Sequence, residues 1–336
     1  MSLNTLEEIA SYIVSDGKGI LAADESNPTC TKRFDTIGVE STEESRRDYR
    51  EMLFRSSGIQ GNIGGVILFD ETIRQNAKDG TSLVDLMNSQ GALPGIKVDK
   101  GLQPIGDSDE TVTVGLDGLD ERLKEYSSLG AKFTKWRAVI KIGNNLPTDN
   151  CIDANMKALA DYAKVVQDNG MVPMVEPEVL MEGDHSIEEC FAATERSLKS
   201  LFHHLKENGV NIKGTILKPN MVTAGSTCSN QASINEVAEQ TLECLRANVP
   251  SELPAITFLS GGQSELLATA HLDAMNKIGG FDWKLSFSFG RALQAPTLRA
   301  WMGKPENVFI AQDALSHRAK MNQLAALGQW DKGLED

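Results

Sequence analysis

Apolar residues along this chain gather into eight runs of strand length, each separated from the next by a longer stretch of mixed polarity. The runs are GKGILAAD (17–24), GNIGGVILF (61–69), GIKVDK (95–100), FTKWRAVI (133–140), MVPMVEPE (171–178), GTILKPN (214–220), AITFLSGG (255–262) and WKLSFSFGR (283–291). Short apolar runs rich in Val, Ile and Phe and closed by Gly, Pro or Asn predict buried strands. Between them, CIDANMKALADYAKVVQDNG, HSIEECFAATERSLKSLFHHLKENG and NEVAEQTLECLRANV repeat apolar residues every three to four positions, which predicts helices. Gly170, Gly209 and Pro250 stand where those helices should stop. Eight strands alternating with helices predict an α/β chain closed into a (β/α)8, or TIM, barrel. No linker-like stretch, repeat or low-complexity segment divides residues 1–336, so one domain is expected.

Such a barrel carries its chemistry at the C-terminal ends of its strands. Those ends hold Asp24, Lys97, Lys135 and Arg137, Glu176 and Glu178, Lys218, Ser260-Gly261-Gly262, and Ser288 with Gly290 and Arg291. Alternate strand residues share a face, so Lys135 sides with Arg137 and Glu176 with Glu178. Inward charges are costly unless they compensate one another around a polar site. A structural ion cluster would meet that demand, but seven strands contributing polar ends favours a catalytic mouth.

Lys218 ends an apolar run at a proline. Desolvated or set beside another cation, a lysine loses its proton and can attack a ketone to form a Schiff base. Taken alone it would as readily be a snorkelling or salt-bridged lysine. Lys135 would disfavour a second positive charge beside it, and Glu176 suits the proton transfers of imine formation. Asp24 could remove a hydroxyl proton and start carbon–carbon cleavage. The iminium is then the electron sink, so neither a metal nor another cofactor is called for. Ser260, Gly261 and Gly262, with Ser288, Gly290 and Arg291, offer N–H groups and a guanidinium where barrels often bind phosphate. Lys32, Arg33, Lys97 and Arg137 could hold a second phosphate across the mouth; Lys32-Arg33 alone would be an ordinary solvated pair.

Composition narrows the partners. The formal charge of −14 argues against nucleic acid or anionic membrane as a binding surface. Five scattered cysteines without Cys-x-x-Cys spacing read as reduced thiols of a cytoplasmic protein. The N-terminus lacks the charge pattern of a secretory leader, and no apolar run approaches a membrane span. The five histidines do not suggest a zinc site, and His203-His204 is expected on an exposed helix face.

The segments GKGILAADES, KFTKWRAVIKIG, VPMVEPEVL, GTILKPNMVTAG, ITFLSGGQSE and FSFGRALQAP resemble class I fructose-1,6-bisphosphate aldolase, in order, from near residue 6 to about 325. The resemblance implies a (β/α)8 barrel and reversible Schiff-base cleavage of fructose 1,6-bisphosphate to dihydroxyacetone phosphate and glyceraldehyde 3-phosphate. It makes Lys218 the imine lysine, Glu176 the principal acid/base and Asp24 an aid to cleavage, with Lys135 and Arg137 positioning substrate. Ser260, Gly261, Ser288, Gly290 and Arg291 would hold the phosphate nearest the ketone, and Lys32, Arg33 and Lys97 the far one. Glu178 is expected to hydrogen-bond the lysines, and a homotetramer is the family's common assembly. Two departures stand out. Thr29, in Asn27-Pro28-Thr29-Cys30, replaces a phosphate-site serine, and the chain stops at GQWDKGLED, where the family continues into a flexible tail ending in tyrosine. That difference is expected to slow protonation of the enamine. A metal-dependent aldolase, another Schiff-base barrel such as a transaldolase, and a binding scaffold remain the competing readings.

Overall fold

The computed structural model describes residues 3–335. All eight predicted runs form strands: β1 Gly19–Ala23, β2 Ile63–Leu68, β3 Leu93–Lys97, β4 Phe133–Ile140, β5 Val172–Val179, β6 Ile216–Leu217, β7 Ala255–Phe258 and β8 Lys284–Phe289. They close into a parallel barrel in the order β1-β8-β7-β6-β5-β4-β3-β2, with helices between successive strands.

The β4–β5 pair shows how period-two alternation sorts the side chains. Phe133 lies opposite Val172, Lys135 opposite Met174, Arg137 opposite Glu176 and Val139 opposite Glu178. Phe133, Val172 and Met174 join Ile20, Ala22, Ile67, Ile216 and Ala255 in the apolar cluster that fills the barrel. Trp136, Ala138 and Val175 alternate outward into the larger core between strands and helices. Lys135, Arg137, Glu176 and Glu178 continue the inward series toward the C-terminal mouth, so the barrel is apolar below and charged above.

The lower end is closed by the helix Leu6–Ile13, whose Ile9, Ala10 and Ile13 belong to the interior cluster. Burial of an isoleucine such as Ile9 or Ile13 stabilises the fold by about 1.5–3 kcal/mol relative to exposure. The helix sits this close because β2 offers glycine: a Cβ on Gly64 would lie 2.0 Å from the Ile13 carbonyl oxygen. The interior at that end is apolar, and the charged residues gather at the other.

The long helices Asp149–Asp168, Ile187–Glu207 and Ile234–Asn248 occupy the predicted stretches. A small antiparallel hairpin, Leu102–Pro104 with Thr111–Thr113, was not expected. The first of its strands is exposed throughout, so it carries no apolar signal. His203 is exposed as expected, but His204 is not: its side chain is 14% accessible, and Nε2 lies 2.8 Å from Asp153 Oδ1.

Candidate active site

Strand β6 is short because Pro219 has no N–H with which to continue the ladder. Lys218 N still donates to Val175 O at 2.8 Å, and Leu259 N donates to Pro219 O at 3.0 Å. The next residue, Asn220, accepts from Val179 N at 3.0 Å and donates to Thr194 Oγ1 at 3.0 Å. The Lys-Pro-Asn segment thus ends one strand while fixing its neighbours, and it leaves Lys218 projecting into the mouth at 4% exposure.

Four buried groups alternate in charge across the mouth. Asp24 Oδ2 lies 2.8 Å from Lys135 Nζ, Lys135 Nζ lies 3.1 Å from Glu176 Oε2, and Glu176 Oε1 lies 3.0 Å from Lys218 Nζ. Burial alone would raise the Asp24 and Glu176 carboxyls, but Lys135 and then Lys218 outweigh it and hold both below their ordinary values. Burial would likewise strip the Lys135 proton, yet Asp24 and Glu176 hold its pKa above the usual lysine value. Glu176 therefore sits between two cations, each on its own oxygen.

The cleft above this chain encloses about 230 Å³. Its lining brings together Asp24, Thr29, Arg33, Lys97, Lys135, Arg137, Glu176, Glu178, Lys218, Ser260, Gly261, Ser288, Gly290 and Arg291. Two of the residues singled out from the sequence stand apart. Lys32 precedes Arg33 on the helix Asn27–Asp35 and faces solvent, a helical step away from the cleft. Gly262 lies at the rim, where an added Cβ would meet Arg291 Nη2 at 3.3 Å. The expectation that Glu178 bonds the lysines is corrected: its carboxylate meets the Arg137 guanidinium. Arg137 reaches past its register partner Glu176, which the two lysines already occupy.

Three further polar residues belong here. Glu25 and Ser26 line the cleft, Ser26 Oγ lying 3.1 Å from Thr29 Oγ1. Asp99 places Oδ1 3.4 Å from Lys97 Nζ. Asp99 was legible, since it lies two residues beyond Lys97 and shares its face; Glu25 and Ser26 directly follow Asp24 and carried no pattern of their own. Ser288 Oγ is buried and has no hydrogen-bond partner among the described residues, although it lines the cleft. A buried hydroxyl left open beside Gly290 and Arg291 suits an anion. Overall the lining sets six cations (Arg33, Lys97, Lys135, Arg137, Lys218 and Arg291) against four carboxylates (Asp24, Glu25, Glu176 and Glu178). Among the described residues no three His, Cys, Asp or Glu side chains group as metal ligands.

A lysine flanked by a carboxylate at the catalytic end of a (β/α)8 barrel is the equipment of an enzyme that works through a lysine imine. Comparison with known proteins makes this specific. The family model described as fructose-bisphosphate aldolase class-I matches residues 5–336. A probable fructose-bisphosphate aldolase class 1 of Xanthomonas axonopodis pv. citri is 53% identical over 98% of this chain and 99% of its own. The cytosolic fructose-bisphosphate aldolase 4 of Arabidopsis thaliana is 51% identical over 95% of this chain and 82% of its own. A solved structure of fructose-bisphosphate aldolase from Plasmodium falciparum, in complex with TRAP and a small-molecule inhibitor, aligns with a TM-score of 0.96 at 48% identity. It covers 98% of this chain and 95% of that one. This chain belongs to the class I fructose-bisphosphate aldolase family.

Proposed function

We propose that this chain is a carbon–carbon lyase that reversibly cleaves fructose 1,6-bisphosphate to dihydroxyacetone phosphate and glyceraldehyde 3-phosphate through an imine on Lys218. The observation that carries this reading is the alternating chain Asp24–Lys135–Glu176–Lys218 at the barrel mouth. Passage of one proton across the 3.0 Å from Lys218 to Glu176 makes the lysine a nucleophile and the carboxyl an acid in a single step. The amine then attacks the ketone carbon and passes a second proton to its oxygen, and Glu176 returns the first as the C–O bond breaks, so that water leaves and the iminium remains. Lys135 remains charged, orients Glu176 and faces the oxygens of the substrate.

Asp24, held ionised by its lysine neighbours, accepts the hydroxyl proton at the carbon beyond the bond to be broken. The electrons of that bond flow into the iminium, glyceraldehyde 3-phosphate leaves, and protonation of the enamine followed by hydrolysis releases dihydroxyacetone phosphate. Ser260, Gly261, Ser288, Gly290 and Arg291 hold the phosphate beside the ketone, with Gly262 at its rim. Arg33, Lys97 and Thr29 take the far phosphate, Lys32 adds long-range attraction, and Glu178 holds Arg137 toward the substrate. The whole site is served by one barrel domain. We further assign the enzyme to the cytoplasm and to sugar-phosphate flux in either direction, as a homotetramer. These assignments draw on the family resemblance and the cytosolic plant relatives. Among the described residues no helix is long and apolar enough to cross a membrane.

Borohydride reduction in the presence of dihydroxyacetone phosphate tests the central step. It should attach a three-carbon phosphate to the 214–220 peptide, with or without EDTA. Labelling that persists in Lys218→Met would refute the assignment.

A further inference from the structure

Gln263 follows the turn Ser260-Gly261-Gly262 and is 8% exposed, but it does not line the cleft. Its backbone N donates to Ser260 O at 3.0 Å and closes the turn, in which Gly261 and Gly262 take φ of +57° and +95°. Its side-chain amide is held at both ends. Oε1 lies 2.6 Å from His271 Nδ1, and Nε2 faces Met221 Sδ at 3.6 Å. A carbonyl oxygen only accepts, so Nδ1 is the donor, and burial keeps the His271 ring neutral. His271 is 2% exposed, on the helix Glu265–Ile278 that begins just beyond the turn. Met221 is equally buried and continues the Lys218-Pro219-Asn220 segment, where Asn220 Nδ2 donates to its carbonyl at 3.1 Å. The Gln263 amide therefore ties the turn to the helix on one side and to the lysine-bearing segment on the other.

Those ties matter because the turn is built on glycine, which loses more conformational freedom on ordering than any other residue. Glycine is nevertheless required: both φ values are left-handed, and a Cβ on Gly262 would stand 3.3 Å from Arg291 Nη2. Ser260 and Gly261 line the cleft with Ser288, Gly290 and Arg291, and the buried Ser288 hydroxyl has no partner among the described residues. A loose turn would have to be ordered by the anion that binds it, at a cost to affinity. Packing alone does not call for a polar pair behind it. Burying an amide and an imidazole costs free energy that two leucines would not, and His271 Nε2 is buried with no partner among the described residues.

We propose that Gln263 and His271 are positioning residues that hold the Ser260-Gly261-Gly262 turn in its anion-binding shape before substrate arrives, and so lower the concentration of phosphorylated substrate that the site needs. The inference rests on the reading above that this turn takes a phosphate. Neither side chain lines the cleft, so the effect passes through the backbone of the turn and leaves the reacting bonds alone.

Borohydride labelling of the full chain, titrated with dihydroxyacetone phosphate and with dihydroxyacetone, tests this alongside steady-state kinetics with fructose 1,6-bisphosphate. Gln263→Leu should raise KM for the bisphosphate, and the half-saturating concentration of dihydroxyacetone phosphate, about 2- to 10-fold, the scale of ordering a short turn. The kcat and the half-saturation by dihydroxyacetone should change far less. His271→Leu should show the same pattern, and the double variant should be no worse than Gln263→Leu alone. His271→Asn, whose amide nitrogen can stand where Nδ1 stands, should recover most of the parent affinity, which a role in packing alone would not allow. Gln263→Asn, one methylene shorter and still polar, is the milder variant should leucine prevent folding, and it should move the same ratio in the same direction. An equal loss for dihydroxyacetone and its phosphate, additive effects in the double variant, no recovery in His271→Asn, or an unchanged ratio in Gln263→Asn overturns the proposal. A parent chain that takes dihydroxyacetone as tightly as its phosphate would sink the phosphate reading of the turn and this proposal with it. Discrimination in the parent that survives Gln263→Leu sinks this proposal alone.

Discussion

Replacing Glu176 with glutamine changes one oxygen to nitrogen and leaves the volume of the side chain almost unaltered, so it isolates charge from packing. In the native site Oε1 and Oε2 lie 3.0 Å from Lys218 Nζ and 3.1 Å from Lys135 Nζ. An amide offers an acceptor to one ammonium only and turns N–H donors toward the other. Lys135 keeps Asp24 at 2.8 Å; Lys218 has no other ion-pair partner among the described residues. Removing one partner of a buried pair costs roughly 3–5 kcal/mol. The retained Asp24 contact places the expected loss of stability near the bottom of that range, about 3 kcal/mol, a shift of several degrees in Tm.

The kinetic effect should be larger than the thermal one. A glutamine can neither take the Lys218 proton nor return one to the departing oxygen, so both halves of imine formation lose their acid/base. General acid–base catalysis contributes about 10²- to 10⁴-fold, or roughly 3–5 kcal/mol of barrier. We expect kcat for fructose 1,6-bisphosphate to fall by that factor, with KM changed by less than the rate. Borohydride trapping under single-turnover conditions should slow in parallel, because the missing step precedes the trapped species. Fast trapping combined with slow overall turnover would move Glu176 to a later step. A variant that keeps kcat within about threefold of the parent would refute the proton-sharing argument altogether.

Arg291→Ala should lower kcat/KM for fructose 1,6-bisphosphate about 10- to 100-fold, the worth of one charge-assisted contact, and Arg291→Lys should recover only part of it. Non-phosphorylated fructose should scarcely distinguish the variants; an equal loss there would mean that Arg291 does not act through a phosphate. His271 is buried with Nδ1 2.6 Å from Gln263 Oε1, and burial lowers its pKa to about 4. Between that value and the unfolded value near 6.5, only the unfolded chain binds the proton, so native stability falls as pH falls. From pH 6.5 to 5 the loss from this residue should be about 1.6 kcal/mol, and denaturant titrations of His271→Gln should show a flatter slope. An unchanged pH dependence would show that the ring is protonated without penalty.

The strands were legible because each is a compact apolar run closed by turn residues, and their polar ends were legible because barrel architecture says where to look. The 214–220 run shows the limit: it predicts a longer strand than Ile216–Leu217, since Pro219 removes the ladder donor and Asn220 turns to bond Val179 and Thr194. Lys32 illustrates another. A Lys-Arg pair looks like one basic patch in sequence, but on a helix the two side chains diverge, and only Arg33 reaches the cleft. The groups that fix the site were hardest to read. Glu25 is held by Gln294, 269 positions away, and by Arg50, which lies within EESRRDYREMLF, a segment whose polarity suggests a solvated helix. Nothing local marks such an arginine as buried. Glu178 presented a subtler problem, because the lysines it was expected to bond were already taken up by Asp24 and Glu176, leaving Arg137 as its partner.

In the proposed mechanism, Lys135 and Lys218, which face and activate the substrate, also depress the carboxylates that must move protons, and these demands conflict. Asp24 and Glu176 are both held low by Lys135 and Lys218, and a carboxylate held low is a weak base. Spreading the cations outward would relieve the carboxylates but would leave Lys218 without a close proton acceptor. In the proposed mechanism, passage of the proton from Lys218 to Glu176 resolves the conflict, because the transfer that weakens the cation's hold also creates the acid that imine formation needs. On the proposed reading, the surplus positive charge needed for a doubly phosphorylated substrate comes from the cleft's other cations, Arg33, Lys97 and Arg291. It survives the −14 formal charge of the whole chain because surface charges are screened over a Debye length of about 8 Å. The cleft's own cations therefore dominate at close range, while the acidic exterior disfavours extended polyanions that a small sugar bisphosphate does not resemble.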